Sequence, residues 1–155
     1  MNKKLIIAAI LVSGVLLLRG SSEVRGIRNN NPGNIEHGQN WLGMANVQTD
    51  ERYITFEAPE YGIRAMARIL RTYRERHGLV TVNGIIHRWA PPVENPTTDY
   101  VKFVAGKVGV EAHETLHFSD DQVADLITAI IRFENGKQPY GRETIIAGIN
   151  LERTN

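Results

Sequence analysis

Two acids and two histidines have types and spacings that suggest chemistry. Glu134 lies near the end of an apolar helix predicted for residues 122–135. At about 100° per residue, Val123, Leu126, Ile127, Ile130 and Ile131 form one stripe, and Glu134 falls near its centre. Burial and the negative end of the helix dipole both disfavour a charged carboxylate there, which suits a general acid at neutral pH. The structural alternative is a helix-end glutamate paired with Arg132 or Lys137. His113-Glu114-Thr115-Leu116-His117 matches HExxH, in which two histidines one helical turn apart bind zinc and the glutamate activates water. Its setting argues against that use: Gly109 precedes it closely, Ser119 caps a new helix just after it, and no third ligand is obvious beyond Glu134.

Two polar strings are candidates for holding a sugar. Asn29, Asn30, Asn31 and Asn34 surround Pro32 and Gly33, and their amides offer both donors and acceptors to hydroxyl and acetamido groups. The alternative is a turn held by its own asparagine side chains. Further on, Trp89-Ala90-Pro91-Pro92-Val93-Glu94-Asn95-Pro96 reads as a rigid loop, with Trp89 in the core and Glu94 available to stabilise positive charge at a sugar carbon. Trp41 and Tyr100 complete the set of proposed sugar contacts.

The elements that must position these residues are mostly helical. Helices are expected from about Tyr61 to His77, from Thr81 to Trp89, from Thr97 onward through Val108, and from Ser119, where Ser119 and Gln122 fit a capping box. Gly78, Pro91 and Gly136 supply stops. Residues 26–43 have no sustained helical period and read as loop or hairpin.

With 155 residues and 42% apolar content, the chain supports one domain with a real core. A net charge of +1 without a basic stripe disfavours nucleic acid as a partner. The absence of cysteine removes disulfides, thiol nucleophiles and thiolate metal sites. At the N-terminus, Lys3 and Lys4 precede an apolar run from Leu5 to Leu18, closed by Arg19. As a helix it would span about 21 Å, short of a hydrocarbon core of roughly 30 Å, but no small-residue cleavage site follows. The expected organisation is residues 1–19 as a membrane anchor or signal-like segment, 20–22 as a linker and 23–155 as the domain. The lysines would lie on the cytoplasmic side and the domain on the periplasmic or outer side of a host or virion membrane.

Three segments also carry a family resemblance. Arg25-Gly-Ile-Arg-Asn-Asn-Asn-Pro-Gly-Asn34 with Trp41 and Gly43, Tyr61-Gly-Ile-Arg-Ala65, and Arg88-Trp-Ala-Pro-Pro92 with Glu94, Asn95, Thr97 and Tyr100 resemble small bacteriophage virion proteins regarded as lysozyme-like. Asn29 to Ile35 is also similar to the Asn-Asn-x-x-Gly-Ile segment of lysozyme-superfamily glucosaminidases. There the glutamate-bearing helix comes first; here Ala129 to Gly136 comes after, the order of a circular permutation.

The resemblance implies a mainly α, lysozyme-like domain with a small hairpin or loop region, which the N-terminal apolar run would precede as one short membrane helix. Its implied activity is cleavage of peptidoglycan glycan strands without a cofactor or metal, for wall penetration or lysis. Glu134 would be the acid; with Glu94 opposite it the reaction would be hydrolysis, and without a second carboxylate an intramolecular route of the lytic transglycosylase kind, with other virion proteins as further partners. The alternatives are a non-catalytic virion protein that binds peptidoglycan, and a zinc peptidase built on HExxH.

Overall fold

The computed structural model describes residues 23–92 and 97–154. The expected anchor and linker, and Glu94, lie outside the described residues. Within them the protein is mainly helical: α1 (Arg25–Arg28), α2 (Pro59–His77), α3 (Val82–Trp89), α4 (Thr97–Val108), α5 (Asp120–Asn135) and α6 (Arg142–Arg153). Among the described residues no helix is long and apolar enough to cross a membrane.

Local chemistry explains the helix ends. Pro59 opens α2 at its first turn, where a missing N–H costs nothing, and Gly78 closes it in the left-handed region at φ 62°. Thr81 caps α3 by accepting from the Gly84 amide at 3.1 Å. Ser119 Oγ accepts from Gln122 N at 3.2 Å, while Gln122 Oε1 reaches back to the Phe118 amide at 2.9 Å, one residue beyond the usual capping box.

Helix α5 is the centre of the molecule. Seven of its apolar or small side chains, Val123, Ala124, Leu126, Ile127, Ala129, Ile130 and Ile131, are buried. It packs against α1, α2, α4 and α6. Each isoleucine fully removed from water there contributes about 1.5–3 kcal/mol before packing losses. The most extensive helix pairing is α2 on α6, where a Cβ at Gly148 would lie 2.5 Å from Ile63 Cγ2. Gly148→Val would therefore force these two helices apart.

Helices α1 and α6 were absent from the sequence expectations. α1 has only four residues and no side-chain cap. For α6, Ile145 and Ile149 are buried one turn apart, with Gly148 and Glu152 also buried, so a glycine and an acid interrupt the apolar stripe. The expected loop or hairpin is a loop between α1 and α2 with two isolated antiparallel bridges, Glu36 to Tyr53 and Met44 to Phe56, and no strand among the described residues. Buried Asn31 stands in for a longer ladder. Its Nδ2 donates to the carbonyls of Ile35 and Ile54, each at 2.8 Å, and its Oδ1 accepts from Ile35 N at 2.9 Å.

Candidate functional site

Glu134 emerges from the last turn of α5, half-buried, and accepts from two neutral donors. Tyr100 of α4 donates its phenol to Oε1 at 2.8 Å, and Asn34 donates Nδ2 to Oε2 at 3.3 Å. Among the described residues Glu134 has no ion pair with Arg132 or Lys137, so the structural alternative of a helix-end salt bridge is not the arrangement found.

Each donor is held by independent packing. The Tyr100 ring is 1% exposed and stacks on Phe133 at 3.8 Å between centroids, 13° from parallel. Burial, then the neighbouring Glu134 charge, hold the phenol far above its ordinary pKa, so it stays a neutral donor. Asn34 sits in the left-handed region at φ 51°, a conformation asparagine tolerates. Next to Glu134, Asn135 turns inward and donates Nδ2 to the carbonyls of Pro32 at 2.7 Å and Ile131 at 2.9 Å. The asparagine loop is thus tied to the end of α5. Gly26 lies beneath this junction, where a Cβ would meet Asn135 Oδ1 at 2.5 Å and Asn34 Oδ1 at 2.8 Å. Only glycine fits there.

The other end of the loop is pinned by Asp50, which the sequence reading did not single out. Arg25 reaches its two oxygens through Nε and Nη2, both at 2.6 Å; Asn29 Nδ2 at 2.9 Å and the amides of Arg52 and Tyr53, both at 3.0 Å, complete the shell. The Arg25 bond first, then the Tyr53 amide and Asn29, hold the Asp50 carboxyl well below the usual carboxylate range.

Glu134 lines a cleft of about 320 Å³ together with Asn34, Trp89, Ala90, Glu36, Arg52 and Tyr53. Glu36 is exposed and paired with Arg52 at 2.6 Å, and so brings a second carboxylate into the cleft. No local signal in the sequence marks it, because the bridge to Tyr53 that positions it joins segments 17 residues apart. A larger groove of about 500 Å³ adjoins the cleft along Glu36, Ile69 and Tyr73 and includes Trp41.

Several proposed contacts take other places. Asn29 and Asn31 are buried and spend their amides on Asp50 and on the backbone; half-buried Asn30 donates to Phe56 O at 3.0 Å. Tyr100 is too buried to be a sugar platform and serves Glu134 instead. Asn34 faces the cleft and half-buried Trp41 the groove, while Trp89 both packs on the core and walls the cleft. Glu94 falls outside the described residues. The HExxH segment is not helical: residues 111–119 form turns and extended chain, with His113 and His117 exposed. The one-turn spacing that zinc requires is therefore lost, and among the described residues no group of three His, Asp or Glu side chains could hold a metal.

Fold and cleft together define a mainly helical domain with a half-buried glutamate at the end of its central helix, facing a polar cleft. No protein-family model matches the chain. It is 44% identical over 128 residues to Protein P5 of Pseudoalteromonas phage PM2, covering 80% of this chain and 79% of that protein. The chain belongs to the family of that phage protein.

Proposed function

We propose that this protein is a lysozyme-like phage enzyme that cleaves the glycan strand of peptidoglycan, anchored in a membrane through residues 5–18 with its domain on the periplasmic or outer side. The observation that carries this reading is Glu134, half-buried at a cleft and held by the neutral donors Tyr100 and Asn34 rather than by a cation. Such an acid can give a proton to the leaving glycosidic oxygen, and the two donors receive the carboxylate left behind. The phage origin of its relative and the polar lining of the cleft also support it.

Glu36 gives the mechanism a second carboxylate in the same cleft. Water adds to the anomeric carbon and its proton passes to Glu36; the bond to the leaving oxygen breaks as that oxygen takes the proton of Glu134. This is hydrolysis, with reducing sugar ends as product. If the carboxylates act otherwise, an intramolecular attack by the sugar itself would leave anhydro ends.

The test is muropeptide release from purified peptidoglycan by the full chain, for wild type and Glu134→Gln, each with and without EDTA, with products identified by mass. Release that survives EDTA and vanishes in a folded Glu134→Gln variant supports the glycosidase. Wild-type protein that sediments with the wall but releases nothing would leave a non-catalytic, wall-binding virion protein.

A further inference from the structure

The larger groove beside the cleft carries a fixed arginine that the cleavage chemistry does not use. Arg88, in the last turn of α3, and His77, the last residue of α2, meet at its rim, where Arg88 Nη2 lies 3.2 Å from His77 Nε2. Because guanidinium can only donate, His77 must accept through Nε2. The guanidinium carbon also sits 5.3 Å from the centroid of the Tyr73 ring, and Tyr73 meets His77 edge-on at 6.4 Å. A surface arginine is normally mobile; this one is held in place by an imidazole and an aromatic face.

Among the described residues Arg88 has no carboxylate partner, although it is exposed. The carboxylate that shares the groove, Glu36, is already bound to Arg52. Four of the five guanidinium N–H groups remain for a ligand, in the planar fork that matches a carboxylate. Ile35, Ile69 and Trp41 give the rest of the groove apolar surface. The groove therefore suits a ligand that carries a free carboxylate beside small apolar groups.

We infer that this groove binds the acidic stem peptide that hangs from the glycan strand, with Arg88 gripping a peptide carboxylate while the strand lies in the adjoining cleft. The inference rests on the peptidoglycan reading for the choice of polymer. Continuity of the two cavities along Glu36, Ile69 and Tyr73 supplies the geometry, since a substituent on a sugar in one would enter the other. A further neutral sugar would gain nothing specific from a fixed cation. A stem peptide of alanines and diacids would.

The test measures equilibrium binding by the full chain carrying Glu134→Gln, so that no turnover is needed, to glycan strands with their peptides, to strands stripped by an amidase, and to the free tetrapeptide. Strands with peptides should bind roughly ten-fold more tightly than stripped ones, and added Arg88→Gln should erase that difference while leaving stripped strands within about two-fold. Arg88→Lys, which keeps the charge and loses the fork, should recover part of it, and added salt should weaken only the peptide-bearing strands. Equal binding of both strands, or an Arg88→Gln effect that is the same on both, would overturn the inference. Cleavage by wild type without peptide preference removes only this inference. Peptide-dependent binding without wild-type cleavage removes only the catalytic reading.

Discussion

Glu134 and Glu152 both stand near the C-terminal end of a helix, yet their surroundings differ in kind. Glu152, in α6, is 4% exposed and meets Arg71 Nε at 2.7 Å and Arg68 Nη1 at 3.2 Å, both from α2. Its charge is matched by cations, and it ties α6 to α2. Glu134 is held instead by a phenol and an amide, beside an open cleft. A carboxylate held by arginines from a neighbouring helix is spent on structure. One held by neutral donors beside an open cleft is left available to a ligand, so the partners, more than burial, distinguish the two acids.

The comparison breaks first at Glu134. Replacing it with Gln should lower muropeptide release by about 10²–10⁴-fold, with circular dichroism and thermal midpoint close to wild type; a variant that keeps its activity would end the catalytic reading. At the other acid, Glu152→Gln should do the reverse. It should cost about 2–3 kcal/mol in denaturant unfolding, toward the low side of a broken buried pair because Arg68 is half exposed, while activity per folded molecule is kept. A smaller effect is expected where a donor to Glu134 is removed. Tyr100→Phe keeps the stack on Phe133 and should reduce turnover about ten-fold at a stability cost of about 1 kcal/mol; an unchanged rate would show that the phenol does not serve the acid.

Acid titration sharpens the same contrast between fixed and free carboxylates. Asp50 is held mainly by Arg25, so its folded-state pKa lies below the ordinary 3.8. Its contribution to stability is fully present above that value and is lost as pH falls toward the depressed folded pKa. Asp50→Asn should therefore flatten the fall of the thermal midpoint below about pH 4, and an unaltered slope would mean another group controls acid unfolding. The smallest effects belong to the exposed histidines. His113→Ala and His117→Ala should each change rate and stability by less than about 0.5 kcal/mol; loss of activity in either would revive the metal reading.

Much of this was legible locally. Caps and stops at Ser119, Gly136, Thr81 and Gly78 act within a turn of where they stand, so helix boundaries could be read closely. Glu134 was visible because a periodic stripe makes one misplaced acid conspicuous. The asparagine string reads two ways, as sugar contacts or as a turn held by its own side chains: amides that could hold a sugar are equally good at replacing a sheet's hydrogen bonds, and buried Asn29 and Asn31 do the latter. Likewise the HExxH spacing is meaningful only on a helix, and residues 111–119 are not one.

By itself, the sequence determined the helical class, the placement of an acid on the buried face of the central helix, and the loop that tightens around asparagine and glycine. Local periodicity and capping act over a few residues and need no partner from elsewhere in the chain. Only tertiary structure decided that Asn34 would reach Glu134 across 100 residues and Tyr100 across 34, that Glu36 would join them in one cleft, and that Arg88 would be fixed at the rim of the next. These relations arise when α1, α4 and the asparagine loop close on α5, a global packing that no local pattern contains.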